Sequence, residues 1–151
     1  MVGTFALDLN KFAAKAGKNA DAVVRKVVLK MGARIVERSP VGDPSKWADY
    51  TYVPPGYVGG HFRGNWQYSL AAPAADILPD IDPTGEPTIK RIKNSIPDKA
   101  GGHVHYLTNN LPYALRLEYM AWSSQAPHGM VGITVAEYKQ IVRGAVQEVK
   151  Q

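Results

Sequence analysis

The chain has 151 residues, 45% of them hydrophobic and 21% charged, no cysteine and a formal net charge of +5. That length suits one domain with a core of its own, and the lack of thiols excludes a disulfide framework and a thiolate metal site. No apolar run approaches the roughly 18 residues that a bilayer-crossing helix requires, and Met1–Asp8 has neither the basic start nor the long apolar block of a secretory signal, so a soluble protein made in a cytosol is expected. The charge is uneven. Residues 1–38 hold eight Lys/Arg against three Asp/Glu, while residues 39–151 hold ten of each, so the basicity belongs to one segment.

Taken in order, Asp8 or Asn10 is placed to cap a first helix that runs to about Ala16, with Leu7, Phe12 and Ala13 on its apolar side and Gly17 at its end. Asn19 then caps a longer helix to about Arg38, where Ser39-Pro40 stops it. Ala20, Val24, Val27, Val28, Met31 and Ile35 recur at three- and four-residue steps as a buried stripe. Lys26, Lys30, Arg34 and Arg38 step by four along the other side, a basic row roughly 18 Å long at about 1.5 Å per residue. The row reads either as a solvated face or as a contact with an acidic protein surface or with DNA.

Val41–Gly60 combines the turn signals Asp43-Pro44 and Pro54-Pro55-Gly56 with Trp47, Tyr50, Tyr52 and Tyr57. It is too aromatic for a disordered linker and long for an internal loop. An arm that packs on its own domain or on a neighbouring subunit is expected. Phe62–Leu70 alternates, with Phe62, Gly64, Trp66, Tyr68 and Leu70 on one side, and predicts a half-buried strand. Pro73–Asp82 reads as extended and partly exposed, broken by Pro79 and Pro83. Pro87 starts a short helix buried through Ile89, Ile92 and Ile96 and ended by Pro97. Gly101-Gly102 turns into a second strand, His103–Thr108.

That strand leads into Asn109–Met130, read as the organising stretch. Asn110 is expected to cap a helix by accepting the Tyr113 N–H, with Pro112 in the first turn. Leu111, Tyr113, Ala114, Leu115, Leu117 and Tyr119 spread round most of its circumference, which predicts cover on several sides. Glu118 is costly in so apolar a helix unless it is bonded, and is expected to tie down the loop near Ser123–Gln125 or to meet an arginine. Finally, Thr134-Val135-Ala136-Glu137 reads as a capping box, with Ile133 and Tyr138 as its staple. The closing helix behind it is buried through Tyr138, Ile141, Val142, Ala145, Val146 and Val149. The fold class expected is α+β: N-terminal helices and a C-terminal helix on a small, mostly antiparallel sheet, with a long aromatic and proline-rich loop, in one domain over 1–151.

Catalytic motifs are weak. His103 and His105 lie two apart on a strand and could supply two metal ligands, with His61 or His128 as a third, but polar histidines on a solvent face opposite Val104 and Tyr106 are the expectation. Ser123 or Ser124 with His128 lacks a nucleophile turn. Asp76, Asp80 and Asp82 sit in the proline-broken stretch. Gly59-Gly60 and Gly101-Gly102 match no phosphate-binding fingerprint. Neither an enzyme nor a cofactor is expected.

Two runs carry a resemblance. Thr108–Glu118 followed by Ser124-Gln125-Ala126-Pro127 and Gly129-Met130-Val131 resembles the neck and tail-completion proteins of long-tailed bacteriophages, which include the lambda-type minor tail protein Z and small head–tail joining proteins. Ser39-Pro40-Val41 with Phe62-Arg63-Gly64-Asn65-Trp66 is a weaker second match. With the terminal helix pattern, the resemblance covers about two thirds of the chain. Asp43–Gly60 stands as an insertion, and Met120-Ala121-Trp122 replaces a single glycine usual after Tyr119. The resemblance implies a structural virion protein made in the bacterial host cytoplasm. It would act by forming a homo-oligomeric, sixfold ring between the tail tube or terminator and the head connector or stopper, with DNA passing through the lumen without sequence-specific contact and with no membrane partner. Cyclic closure requires two different patches to meet. The Trp47, Tyr50, Tyr52 and Tyr57 arm, with Tyr113 and Tyr119, is expected on one side. Lys26, Lys30, Arg34 and Arg38 are expected on the other side or at the lumen. The alternatives are a basic nucleic-acid-binding accessory protein, which would bind in a salt-dependent, sequence-blind way, and a small metal-dependent enzyme.

Overall fold

The computed structural model describes residues 19–46 and 52–150 and the backbone of residues 4–8. The architecture is α+β. Strand β1 is Thr4–Asp8, helix α1 is Ala20–Arg38, and a single 3-10 turn follows at Pro44–Lys46. Next come α2 at His61–Gly64, β2 at Gln67–Leu70, α3 at Glu86–Ser95 and β3 at Val104–Thr108. Helices α4 at Ala114–Tyr119, α5 at Val131–Ala136 and α6 at Tyr138–Lys150 complete the described elements.

The core is built on α1. Val23, Val24, Val27, Val28, Met31, Ile35 and Val36 are all buried, each worth about 1.5–3 kcal/mol of transfer free energy. This band is wider than the expected stripe because α1 is covered on two sides, by α6 and by α3, with α5 and α2 also in contact. Asn19 stands at the N-cap as expected, though its side chain makes no capping bond. The expected stripes of α3 and α6 are also found. Ile92 and Ile96 are buried and Ile89 packs beside them, and Ile141, Val142 and Ala145 carry α6. α1, and not Asn109–Met130, is therefore the element the rest packs against.

The sheet is three-stranded and antiparallel in the order β1-β3-β2. Thr4 pairs with Thr108 and Asp8 with Val104 on one side of β3, and Gln67 pairs with Thr108 and Leu70 with His105 on the other. Leu7 and Asp8, expected at the start of a first helix, belong to strand β1, and the rest of that helix lies outside the described residues.

Five expectations are corrected. The predicted strand over Phe62–Leu70 is a helical turn followed by a short strand. Phe62 and Trp66 sit 5.9 Å apart edge to face, the i,i+4 contact that a helical turn makes; four residues is a multiple of the strand period too. Thr134 lies inside α5, where its hydroxyl donates to the Met130 carbonyl at 2.7 Å. It accepts from Arg38 and caps nothing, while Glu137 is held by Arg34 and Arg38. Asn110 does not cap α4. Its amide donates to the Ala74 and Asp76 carbonyls at 2.7 and 3.0 Å, and it is Asn109 whose side chain accepts from the Leu111 N–H, at 3.2 Å. Pro112 precedes the Tyr113 N-cap instead of entering the first turn. Asp82 is buried, not exposed. It accepts the backbone N–H groups of Gly85 at 2.8 Å and Thr88 at 2.9 Å, so it braces the start of α3. Burial raises its pKa, but the bonds from Thr88 and Gly85 together outweigh that and hold the carboxyl below its ordinary value.

Of the two histidines, His103 is exposed as expected and His105 is not. His105 and Leu107 face the core, and only His103 is exposed. The Ala100 carbonyl can only accept, so His105 Nε2–H donates to it at 2.9 Å. Nδ1 then accepts from the Tyr68 hydroxyl at 2.8 Å. Burial pushes the Tyr68 hydroxyl up to about 12. Burial also lowers the His105 pKa, and His103 acts in the same direction while the Ala100 bond opposes it. With the folded pKa depressed, the unfolded chain takes up a proton first as pH falls below about 6.5. Stability contributed by neutral His105 is therefore full above that pH and declines as pH falls toward the lowered folded value. Urea midpoints are expected to drop between pH 7.5 and 5, and His105→Gln is expected to remove that part of the slope.

Candidate functional site

Ser39 ends α1 and anchors the chain beyond it. Its hydroxyl donates to the Ile35 carbonyl at 2.7 Å and accepts the Trp66 indole N–H at 2.7 Å. Its own carbonyl accepts from Arg63 Nη2 at 2.7 Å and Nε at 3.2 Å. Arg63 also reaches the carbonyls of Glu37 and Pro83. Asn65 is wholly buried and brackets Leu78, accepting its N–H at 2.8 Å and donating to its carbonyl at 3.0 Å. Asn109 donates to the Phe62 carbonyl at 2.9 Å. The two sequence runs, Ser39-Pro40 and Phe62–Trp66, thus form one bonded junction beside α4.

From that junction the chain leaves as the arm and returns. Tyr57 folds back onto Gly42: a Cβ there would lie 1.9 Å from its hydroxyl, so a side chain at position 42 would have to displace the Tyr57 ring. Near its base the arm therefore packs on itself. Its tip does not: Tyr52, Val53 and Val58 are 72%, 39% and 55% exposed. Trp47 and Tyr50 lie outside the described residues.

The loop after α4 closes on the same place. Gln125 grips the Val41 backbone with both ends of its amide, accepting its N–H at 3.1 Å and donating to its carbonyl at 2.7 Å. Glu118 accepts the N–H groups of Met130, Val131 and Gly132 at 2.8, 3.0 and 2.8 Å. It ties down a later stretch than expected, the start of α5, and meets no arginine. A carboxylate on free amides at a helix start is favoured by both hydrogen bonding and the helix dipole. Gly129, at φ +76°, passes so near that a Cβ would lie 2.5 Å from the Glu118 carbonyl.

Between arm and loop lies a cleft of about 640 Å³. Pro40, Val41, Phe62, Tyr113, Leu117 and Trp122 supply its apolar walls, and Asp43, Lys46, Tyr57 and Ser123–Gln125 its polar margin. Tyr113 and Trp122 stand 6.1 Å apart, and the Arg116 guanidinium lies 5.6 Å over the Trp122 ring. The structure brings Tyr57 and Tyr113 together as expected interface residues and leaves Tyr119 on the outside of α4. Leu111, Ala114 and Leu117 are buried, but Leu115, Tyr119, Met120 and Trp122 are 41%, 76%, 68% and 57% exposed. Covered on one side only, α4 departs from the expectation of cover nearly all round. Leu115, Met120, Trp122 and Gln125 escaped the sequence reading as site residues; the spacing of Leu115 and Tyr119, four apart on the side away from Ala114 and Leu117, was the signal available.

The basic row is elsewhere and is occupied. Glu148 binds both Lys26, at 3.2 Å, and Lys30. Glu137 binds Arg34 and, at 2.6 Å, Arg38. The bonds from Arg38 and Arg34 hold the Glu137 carboxyl below its ordinary pKa, and those from Lys30 and Lys26 do the same for Glu148. Among the described residues no group of three His, Asp or Glu is arranged to hold a metal. His61 bonds to the Leu78 carbonyl, His128 is exposed, and the Ser123 hydroxyl accepts the Gln125 N–H. No described helix is long and apolar enough to cross a membrane. Comparison with models of protein families, with curated proteins and with solved structures finds no match to this chain.

Substitutions at either end of the α4 loop test these contacts. Glu118→Gln turns one acceptor into an amide donor facing backbone N–H groups, and is expected to cost about 1–3 kcal/mol in urea unfolding. Ala121 is left-handed, at φ +47°, in the position past the C-cap where glycine is usual. Ala121→Gly is expected to stabilise by roughly 0.5–1 kcal/mol, seen as a rise of a few degrees in Tm.

Proposed function

We propose that the chain is a structural subunit of a tailed-phage particle that completes the tail or joins it to the head at the neck, and that it works by assembling into a ring. The observation that carries this reading is the apolar outer side of α4 and its following loop. Leu115, Tyr119, Met120 and Trp122 stand exposed on a segment whose other side is packed and whose loop is held by Glu118 and Gln125. A clustered apolar surface on a braced element is what an interface between subunits needs. The same segment, Thr108–Met130, carries the resemblance to the neck proteins. In this reading the ring is sixfold, follows the tail's symmetry, and leaves DNA a sequence-blind passage.

A nucleic-acid-binding accessory protein is the second reading. Its main support, the row Lys26, Lys30, Arg34 and Arg38, is shared out between Glu137 and Glu148. That leaves fewer free cations for phosphate contacts than the sequence offered.

The purified protein, alone and with tail tubes, is expected to form or add a ring of six in native mass spectrometry and electron microscopy. Tyr119→Asp with Leu115→Asp is expected to abolish the ring while changing stability by no more than about 0.5 kcal/mol, as for exposed positions in general. A monomer in both conditions that instead shifts DNA at low salt would overturn the reading.

A further inference from the structure

The strap between β2 and α3, residues 73–83, is a second pinned element with exposed apolar side chains, and it carries the charge that the outer side of α4 lacks. We infer that in the assembly the strap of one copy docks on the outer side of α4 of the next, with Ile77 and Ile81 against Leu115, Tyr119 and Met120 and with Asp76 toward Arg116. This rests on the ring reading and names the contact that would close it.

Side chains from elsewhere in the fold hold the strap by its backbone. Asn110 donates to the Ala74 and Asp76 carbonyls, and the Gln67 amide joins it on Asp76 at 2.7 Å. Asn65 brackets Leu78, the Asp82 N–H donates to the Gly60 carbonyl at 3.1 Å, and Arg63 holds the Pro83 carbonyl. Between these fastenings Ile77 and Ile81 stand 52% and 54% exposed. Two aliphatic side chains on a backbone already fixed lose little freedom when they are covered. Pro79 stands between them and has no N–H, so the strap is ill suited to adding a strand and docks through its side chains.

Charge selects the strap among the apolar surfaces of the chain. The outer side of α4 carries Arg116, over the Trp122 ring, while Glu118 is taken up by three amides. Among the described residues Arg116 has no ion pair. A partner that covers α4 must therefore bring a carboxylate with its apolar side chains, because a covered charge without a counter-charge is costly. The other exposed large apolar residues described lie on the arm, at Ile133 and Val135 of α5, and on the strap. Residues 52–60 of the arm hold no carboxylate, and Glu137 beside α5 is bound by Arg34 and Arg38. The strap has Asp76 and Asp80 next to its isoleucines, and residues 71–85 hold no lysine or arginine. Asp76 is exposed and has no ion pair among the described residues, and Asp80 meets Arg91 at 3.4 Å. Apolar meets apolar, and carboxylate meets guanidinium. Strap and α4 are both exposed, so neither covers the other within one subunit. The contact joins two different patches, as cyclic closure requires.

A charge exchange in the full-length protein tests it. Asp76→Lys and Arg116→Glu change exposed side chains, and each is expected to keep the circular dichroism and Tm of the parent. Either one alone sets like charges across the contact, and is expected to need at least about tenfold more protein to form rings, alone or on tail tubes. A chain carrying both restores opposite charges between copies, and is expected to form rings within about threefold of the parental concentration. A synthetic peptide of residues 73–83 added to the Asp76→Lys variant, whose α4 is intact, is expected to shift the NMR signals of Leu115 and Tyr119. It is expected to bind the Arg116→Glu variant at least about tenfold more weakly. Rings formed equally by the parent and both single variants would overturn the contact and leave the ring reading standing. Loss of rings in the single variants with no recovery in the double variant would also overturn it, and would assign α4 to a different occupant. A chain that stays monomeric on tail tubes yet binds the peptide through Arg116 would uphold the strap's fit to α4 and overturn the ring.

Discussion

A helix that ends inside a protein leaves carbonyls that must be satisfied where it stops, and the way α1 stops determines where the rest of this chain goes. Ser39 answers the requirement locally, through its hydroxyl to the Ile35 carbonyl, and then recruits Trp66 and Arg63 from beyond the arm. Both are strong bonds in kind. One is buried, the other charge-assisted, and breaking either leaves a donor without its partner. Their joint effect is topological. The arm of residues 41–60 must leave and return at the same point, so whatever it does at its tip, its base is pinned to the end of α1. The cleft exists because that pinned base and the loop after α4 approach without filling the space between them.

Along α1, charge serves mostly as internal fastening. The basic excess of the first 38 residues suggests an outward electrostatic face, yet two carboxylates from the opposite end of the chain, Glu137 and Glu148, each bridge two cations of α1. The pairs are half exposed, so each is individually weak and screened by salt. What they add is alignment. They hold α6 in register along α1 over a buried seam of valines and Ile141, Val142 and Ala145 that supplies the energy. The outward charge of α1 is accordingly smaller than its sequence implies.

Much of this was legible from periodicity. α1, α3 and α6 follow their hydrophobic spacing, because in each case a single repeat decides which side is buried; β3 stands where expected but with the opposite side turned to the core. Legibility failed where one pattern serves two structures. Phe62 and Trp66 are four apart, which suits a strand and a helical turn alike, and the decision came from Asn65 and Arg63, whose side chains bind distant carbonyls that no local rule reveals. Thr134 and Glu137 have the spacing of a capping box, but two arginines and a carbonyl compete for them, and a charged partner outcompetes a backbone amide. Asn110 lost its capping role in the same way, to the carbonyls of Ala74 and Asp76. His105 was misplaced by composition: a histidine sharing one side of a strand with another reads as exposed unless Tyr68 and Ala100 are known to receive it. In the candidate site, Glu118 was identifiable as a bonded acceptor from the cost of its position, while its donors, twelve to fourteen residues away, were not.

The α4 segment combines two properties that a folded monomer has no need to combine. Its inner side is fixed from below by Leu111, Ala114 and Leu117 and from the end by the three amides on Glu118, so it has little freedom. Its outer side presents Tyr119, Met120 and Trp122 to water. Rigidity and exposed apolar area work against solubility in isolation but toward affinity in a complex, because a surface already ordered loses little entropy when it is covered. The left-handed Ala121 sharpens the point. A glycine there would relieve backbone strain, yet the chain keeps a residue with a Cβ between Met120 and Trp122, in a turn that sets the indole against Tyr113 and under Arg116. The left-handed turn at Ala121 sets where the side chain after it stands. Here that side chain is the tryptophan at the mouth of the cleft.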